Sequence, residues 1–379
     1  MKRWRNIALV VLMSFLMFSA ASADKEVTFG GEVYSQWYYD LSDTLNAFGN
    51  RSQVDFDSYS HFDVTRAYIT GKAKLSEKTY GRITVDVEPM LNVMRLKYGY
   101  VGWRFFESEQ LMLGTELGLV EIPYIYNMDK IWGRRYISMT PSEMSWHPNA
   151  LGMQSSADYG LSFWSKFGEK GKWGKAFLSF LSGTSYKTPG ENNPTKDIDF
   201  TFFLTPLNAQ PDFAESKIGF QFNTGKVNTY SDSSQTADDF KKTILSVVAD
   251  FRYAKLFNLG LEYNSYTSPY VLDVLDAGLN NFAADQSDMK INSFSIFGGL
   301  WFGELMPDTK AIQTINLFFR YIMLDPDADD HDNVGYGAAY EVKANQMIIG
   351  AECAPIKGFK ASLNFQSDKI TDFGAGIDD

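Results

Sequence analysis

The chain has 379 residues and a formal net charge of −11, and its side chains include 30 Phe, 21 Tyr and 8 Trp. This acidity argues against nucleic acid as a partner, because nucleic-acid recognition depends on basic surfaces. A single cysteine, Cys353, excludes an intrachain disulfide framework. With no histidine near it in sequence, we expect this cysteine to fill a lipid-facing or strand position and not to act as a catalytic thiol.

The first 23 residues have the pattern of a secretory signal peptide. Three basic residues precede an apolar run from Ile7 to Phe18, and an Ala-Ser-Ala cleavage sequence follows at 21–23. The apolar run is shorter than the ~20 residues that a membrane-spanning helix needs. We therefore expect residues 1–23 to be removed and residues 24–379 to form one domain. Because three positive charges leave with the peptide, the net charge of the mature chain becomes −14.

An alternating segment at 27–39 and a long polar connection lead to the clearest pattern of the chain, at 62–88. Apolar and polar residues alternate there on both sides of a turn at 76–78, as in a β-hairpin with one apolar and one polar face. In a soluble sandwich the apolar face would be the core. In an outer-membrane barrel it would meet lipid, and the polar face would line a water-filled lumen.

Strand-like alternation continues to the end of the chain, and short connections alternate with long ones. The count is about 16 strands, within a range of 14 to 18. The predicted strands are 27–39, 62–75, 79–88, 94–105, 110–117, 151–167, 173–181, 198–204, 217–222, 244–252, 257–263, 291–302, 312–321, 334–341, 347–352 and 359–366. Abundant aromatic residues, the alternation and the connection lengths together favour an all-β fold, a transmembrane antiparallel β-barrel.

The connection at 118–149 is rich in aromatic residues, prolines and charges, and it lacks clean period-two alternation. A loop of this length in a chain of hairpins is usually functional or disordered. Its aromatic content argues against disorder. We therefore expect residues 118–149 to be a folded, functional loop.

Four motifs follow one another in the first half of the chain: FDVTRAYITGKAKLSEKTYGRITVDVE, LKYGYVGW, LMLGTELGLVEIP and IWGRRY. In this order, over roughly residues 26–165, they resemble bacterial porins of the phosphate-selective O and P type. The resemblance implies an outer-membrane channel of 16 or 18 strands, often trimeric, with the third outer loop folded inward. The chain departs from that pattern in two respects. It is acidic where a phosphate-selective pore is markedly basic, and its end, TDFGAGIDD, lacks a terminal aromatic residue.

Six basic residues share the polar faces of three consecutive predicted strands. They are Arg66, Lys72, Lys74, Arg82, Arg95 and Lys97. On the lumen side of a barrel they would create a local positive field that helps to set ion selectivity. The alternative is that they are paired wall charges, for example Arg82 with Asp86 or Glu88. Strict alternation places Tyr98 and Tyr100 on the face opposite to Arg95 and Lys97.

The loop at 118–149 supplies a second set of candidates, whose charges would face a constriction. They are Asp129, Lys130, Arg134, Arg135 and Glu143. Four aromatic residues of the loop would either form a stacking track for sugars or pack the loop against the barrel wall, and we favour packing. These are Tyr124, Tyr126, Trp132 and Tyr136.

The acidic segment at 325–332 has the spacing of a calcium loop at Asp325, Asp327 and Asp329. Asp330 and Tyr336 stand where such a loop needs Gly and Glu, so we interpret the segment as a solvated loop tip. The histidines are far apart in sequence, and no catalytic motif is present. We expect no cofactor, no resident metal ion and no enzymatic activity.

Together these patterns predict a porin of the bacterial outer membrane, exported by its signal peptide, through which small hydrophilic solutes or ions diffuse passively. Its partners would be the lipid bilayer, those solutes and two further copies in a homotrimer. The alternative is a surface barrel without transport, either an adhesin or a structural protein of the envelope.

Overall fold

A computed structural model describes residues 26–40, 59–88, 93–144, 153–187, 195–226, 241–268, 289–306, 309, 313–325 and 343–371. Fifteen strands form one antiparallel sheet in which each strand pairs with its neighbours in sequence. The strands are β1 (Glu26–Asp40), β2 (Tyr59–Lys74), β3 (Thr79–Glu88), β4 (Val93–Glu107), β5 (Leu111–Glu121), β6 (Ala157–Phe167), β7 (Gly174–Leu181), β8 (Asp197–Leu204), β9 (Lys217–Lys226), β10 (Lys241–Tyr253), β11 (Phe257–Ser268), β12 (Met289–Trp301), β13 (Ile315–Asp325), β14 (Lys343–Ile356) and β15 (Phe359–Thr371). Within the described residues two α-helices interrupt them, α1 (Pro123–Trp132) and the short α2 (Phe302–Leu305), together with 3₁₀ turns at Glu169–Gly171 and Pro211–Phe213. No helix within these ranges is long and apolar enough to cross a membrane.

The predicted all-β fold is confirmed, and fifteen of the sixteen predicted strands are present. The remaining one, 334–341, lies outside the described residues, as does most of the acidic segment at 325–332. Most boundaries differ from the prediction by a few residues, and two of these differences change the length of the long connection. Strand β5 continues to Glu121, and β6 begins at Ala157, so the long connection between them starts at residue 122 and not at 118. Cys353 lies in β14 with a free thiol, as expected.

The two faces of the sheet differ in polarity, and β13 illustrates the rule. Leu317 points outward and is 43% exposed, whereas Asn316 beside it points inward and is 4% exposed. The pattern repeats on β11, where Leu259 and Leu261 are exposed and Glu262 is buried. Apolar side chains on the outer surface and polar ones inside are the arrangement of a membrane barrel, the inverse of a soluble sandwich.

Strand β4 contains a β-bulge that overturns one prediction. The register between β3 and β4 shifts between Thr84 and Val85, and Lys97 is the extra residue. One inserted residue reverses the alternation beyond it. Tyr98 and Tyr100 therefore point inward, on the same side as Lys97, and both are buried. The predicted placement of these two tyrosines on the opposite face is wrong.

The connection between β5 and β6 folds into the barrel interior, and α1 forms its first part. Trp132 packs edge-on against Phe297 of β12 and Phe318 of β13, with ring centroids 5.8 Å and 6.1 Å apart. At the other end of the helix, Tyr124 lies 6.0 Å from Phe203 of β8. One helix thus contacts strands far apart in the sheet, because the sheet curves around it. The inward-folded third outer loop is confirmed.

Sequence reasoning missed the helix itself, although its signals are present. Pro123 occupies the first turn, where its missing N–H costs nothing. Gly133 ends the helix in the left-handed region at φ 71°, and its N–H donates to the carbonyl of Asp129 at 2.8 Å. Ile125, Met128 and the residues of the last turn form the buried face at helical spacing.

Candidate functional site

The outer part of the lumen wall on β2, β3 and β4 carries paired charges. The guanidinium of Arg66 lies 3.0 Å from Asp86 and 3.7 Å from Glu88. Arg95 lies 3.1 Å from the same Glu88 carboxylate. Two arginines and two carboxylates therefore balance, and this part of the predicted basic wall carries no net positive charge.

Arg82 of β3 lies nearer the short connections than Arg66 and Arg95 do, and it is also paired with a carboxylate. Its partner is Glu121, at the end of β5, and not Asp86 or Glu88. Its Nε donates to the Thr84 hydroxyl at 3.0 Å, and its guanidinium carbon lies 4.4 Å from the ring centroid of Tyr98. Arg82 is thus held flat against the wall beside the root of the third outer loop.

The three lysines of the predicted wall differ in environment. Lys97 is buried, and its Nζ lies 3.1 Å from the Tyr68 hydroxyl and 4.6 Å from the centre of that ring. Lys72 and Lys74 are exposed, nearer the short connection between β2 and β3. The structure therefore brings Lys97 close to the third outer loop and leaves the other two near one end of the lumen.

Arg135 joins two acidic side chains of the same loop. Its Nη1 lies 2.8 Å from Asp129 Oδ2, and its Nη2 donates to Glu143 Oε1 at 2.7 Å, with a second bond from Nη1 to the Glu143 carboxylate. Asp129, Arg135 and Glu143 are called the loop triad below. The structure brings together these three of the five predicted constriction residues.

The two carboxyl groups of the loop triad respond differently to burial. Burial raises the pKa of Asp129 to about 6, and the opposing charge of Arg135 offsets only part of this rise. Burial also disfavours ionised Glu143, but the charge and the two hydrogen bonds of Arg135 outweigh it and hold the pKa of Glu143 well below its usual range. Asp129 is therefore the member of the triad that takes up a proton first.

Arg134 was predicted to face the constriction, and the structure corrects this. Its side chain is buried, donates to the Asn316 side-chain oxygen and lies 4.6 Å from the centre of the Phe318 ring. Glu352 of β14 approaches it at 4.0 Å and accepts a hydrogen bond from the Tyr136 hydroxyl. Arg134 is an anchor that fixes the loop to β13 and β14.

A second anchor was not foreseen from the sequence. Arg320 of β13 lies 3.3 Å from Glu262 of β11, and it donates to the carbonyl of Met139 at 2.9 Å. The Thr140 hydroxyl donates to the same Glu262 carboxylate at 2.6 Å. The Trp132 ring packs against the Arg320 guanidinium, with the ring centre 4.9 Å from the guanidinium carbon. The sequence does contain a signal for this anchor, because Arg320 and Glu262 both occupy inward positions of strands with clear alternation.

The loop aromatics mainly pack, as favoured from the sequence. Tyr124 and Trp132 are buried in the hydrophobic cluster between α1 and the wall. Tyr126 is partly exposed, and the Lys130 ammonium lies 3.6 Å from the centre of the Tyr126 ring. Burial lowers the pKa of Lys130 from its ordinary value, with the charge of Glu121 opposing the shift. Lys130 is thus separate from the loop triad and faces the other side of α1.

On that side, toward the short connections, a cavity of about 490 Å³ separates α1 from strands β3 to β7. This space is called the inner cavity below. The residues that matter for its chemistry are Glu116, Tyr126, Lys130, Trp164, Lys166 and Lys175. The loop thus narrows the lumen without filling it, and the predicted wall residue Lys74 lies at the mouth of this cavity.

Comparison with known proteins agrees with this architecture. No protein-family model matches the chain, and no curated protein matches it. Among solved structures, the outer membrane channel DcaP of Acinetobacter baumannii is similar with a TM-score of 0.59 and 14% identity, over 94% of each chain. OmpF of Salmonella typhi is similar with a TM-score of 0.56 and 9% identity, over 90% of this chain and 89% of that one. The anion-selective porin from Comamonas acidovorans is similar with a TM-score of 0.55 and 11% identity, over 93% of this chain and 95% of that one. The fold of this chain is the β-barrel fold of outer-membrane porins.

Proposed function

We propose that this protein is a channel of the bacterial outer membrane through which small hydrophilic solutes or ions diffuse passively. The observation that carries the proposal is the interior. A polar, charged wall surrounds a loop that narrows the lumen and still leaves a cavity of about 490 Å³ beside it. A barrel that served only as a scaffold for outer loops would not need such an interior.

The outer surface supports insertion in a membrane. Large apolar side chains are exposed on strands from both ends of the sheet and from its middle. They include Phe29, Val33, Ile69, Leu117, Leu259, Leu317, Phe319 and Leu363. In water this surface would be a large unpartnered apolar patch, whereas in a bilayer each side chain meets lipid. The signal-peptide pattern of residues 1–23 fits export to that membrane.

Selectivity in this proposal comes from the third outer loop and the wall that faces it. Arg66, Arg82 and Arg95 are all paired with carboxylates, so they add little net charge to the lumen. Each ion pair acts mainly as a dipole that orients the electric field there. Lys97, near the loop triad, and the lysines of the inner cavity then weigh most on ion selectivity. The sequence resemblance to phosphate-selective porins adds phosphate to the solutes that a test should include.

Purified, folded protein in planar bilayers tests the function directly. We expect stepwise conductance increments of uniform size, with the boiled protein as the inactive control. Folded protein that produces no steps would overturn the channel and leave the surface barrel, an adhesin or an envelope-structural protein, in its place. The homotrimer is tested on the same sample, because native light scattering distinguishes a mass of one chain from that of three.

A further inference from the structure

Glu116 and Glu121 of the inner cavity contact Tyr80 and Arg82, whereas three lysines of the cavity have no salt-bridge partner among the described residues. Glu116 accepts a hydrogen bond from the Tyr80 hydroxyl at 2.6 Å, and Glu121 pairs with Arg82. Within the described part of the chain, no carboxylate lies within salt-bridge distance of three of the lysines that line the cavity. These are Lys130, Lys166 and Lys175. These three ammonium groups face one carboxylate, Glu116, that is not paired with an arginine, so they leave an excess of positive charge that attracts an anion.

The same cavity presents aromatic faces beside those lysines. The Lys166 ammonium lies 5.4 Å from the Trp164 ring centre, and the Lys130 ammonium lies 3.6 Å from that of Tyr126. Trp164 is oriented by a hydrogen bond from its Nε1 to the Tyr80 hydroxyl at 3.1 Å. An aromatic ring and an ammonium group thus lie side by side on each side of the cavity, on α1 and on β6, and the rings favour a planar apolar body.

We propose that the inner cavity is a binding subsite for small aromatic anions, with arene carboxylates as the representative class. The volume of about 490 Å³ lies within the range of roughly 300–1,000 Å³ that is usual for small-molecule sites. The anionic group would meet Lys130, Lys166 or Lys175, and the ring would lie against Trp164 or Tyr126.

Other solute classes fit this wall less well. A neutral sugar would leave the excess positive charge of the cavity without a counter-charge. Inorganic phosphate would satisfy the charges and leave the aromatic faces bare. An aromatic anion uses both features at once. This inference rests on the proposed channel function, since a solute must pass the loop to reach the cavity.

The test is current blocking in single channels of the full mature protein, with four probes at equal concentration. Benzoate has both features, cyclohexanecarboxylate has the charge without the planar ring, benzamide has the ring without the charge, and inorganic phosphate is a compact anion. We expect benzoate to block with the longest dwell time. It should bind faster from the side of the short connections, because the cavity opens toward them.

Two variants separate the contributions. Lys166→Gln removes one ammonium group and should shorten benzoate blocks roughly tenfold, as expected for the loss of one charge-assisted hydrogen bond. Trp164→Leu should shorten benzoate blocks and leave those of cyclohexanecarboxylate unchanged. Lys172→Gln is the matched control, because Lys172 is exposed, pairs with Glu169 at 2.9 Å and lies outside the cavity. It should behave as the parent.

Several results would overturn the inference. Equal dwell times for benzoate and cyclohexanecarboxylate would remove the aromatic part, and equal dwell times for benzoate and benzamide would remove the anionic part. Strongest blocking by phosphate would make the cavity a simple anion site. In each of these cases the channel function stands, because conductance steps are still seen. A protein without any steps would overturn the channel function instead.

Discussion

Arg320 of β13 and Glu262 of β11 form an ion pair, 3.3 Å apart, in which neither side chain has contact with solvent. Burying such a pair costs desolvation energy, so its value lies in what it holds in place. Here it holds the third outer loop. The carbonyl of Met139 accepts from Arg320, and the hydroxyl of Thr140 donates to Glu262. The loop is thereby fixed to the wall opposite its own root.

Arg320→Met should therefore destabilise the barrel and loosen the loop. It leaves the Glu262 carboxylate buried without its cation, which typically costs about 3–5 kcal/mol. We expect a lower temperature for loss of the folded, fast-migrating gel band and noisier open-channel current. The double variant Glu262→Gln with Arg320→Met should recover most of the stability, because no buried charge is left unpaired.

The control for this pair is an exposed one. Lys172→Met removes the surface ion pair with Glu169, which is worth at most about 1 kcal/mol. An equal effect of Arg320→Met and Lys172→Met on the melting of the folded band would show that the buried pair does not anchor the loop.

The alternation of the strands was predictable because the two faces meet very different surroundings, lipid on the outside and a polar lumen on the inside. On β13, Leu317 and Phe319 point outward while Asn316 and Arg320 point inward, and an inversion would place an amide or a charge in an apolar medium. The bulge at Lys97 was not predictable by the same rule. A single extra residue changes the register through the backbone alone, and the neighbouring side chains suit either face.

The anchors of the loop depend on contacts that no local pattern contains. Tyr136 donates to Glu352, 216 residues away in sequence, and Arg134 donates to Asn316 at a separation of 182. Such pairs exist because the sheet curves and brings β13 and β14 opposite the loop. From sequence, a charged residue in a long loop looks equally suited to a constriction and to an anchor. That ambiguity explains the wrong placement of Arg134.

Charge reversal in the wall tests its part in selectivity. Arg82→Glu and Arg95→Glu each change the local charge by two units and place a new carboxylate beside Glu121 or Glu88. We expect both variants to move the reversal potential in a salt gradient toward cations, more strongly at low ionic strength because salt screens the wall.

The matched control for the wall is Lys170→Glu, on the exposed connection between β6 and β7. It makes the same change in total charge away from the lumen and should leave the reversal potential unchanged. If the wall variants also keep the parent's reversal potential, Arg82 and Arg95 are structural.

The end of α1 offers a test of backbone geometry without a change in packing. Gly133 has φ 71°, and a Cβ built there would meet no atom within 4 Å. Gly133→Ala should cost about 1 kcal/mol of stability from the left-handed conformation alone, and Gly133→Val should cost more. Gly133→Asn should be close to neutral, since Asn tolerates this region.

Gly30 is the control for Gly133, because it has equal space around its Cβ and lacks a positive φ. Gly30→Ala should leave the melting of the folded band unchanged. Equal destabilisation at both positions would argue that a lost glycine, and not the end of the helix, is responsible.

Asp129 should make the channel sensitive to pH near neutrality. At pH 7.5 the loop triad carries a net charge of −1, because two carboxylates face one guanidinium. Since the pKa of Asp129 is about 6, most Asp129 side chains are protonated at pH 5, and the triad is then neutral. Glu143 stays ionised at both values, because its pKa is well below its usual range. Acidification should therefore shift the reversal potential toward anions, helped by the nearby Lys97.

The same ionisation sets the sign of the pH dependence of stability. The pKa of Asp129 in the folded state lies above its ordinary value of about 4, so the folded protein binds the proton more tightly than the unfolded chain. Its contribution to stability is fully present below pH 4 and is lost as the pH rises through 6. Glu143 acts in the opposite direction, and its contribution is lost only as the pH falls below its ordinary range.

Asp129→Asn separates this residue from every other titrating group of the lumen. The variant keeps the shape of the side chain and removes its charge at all pH values. Its reversal potential at pH 7.5 should match that of the parent at pH 5, and its own shift between those values should be much smaller. Reversal potentials measured in a tenfold KCl gradient decide the matter. If Asp129→Asn keeps the full pH response of the parent, the response arises elsewhere in the lumen and the loop triad is only a structural clamp.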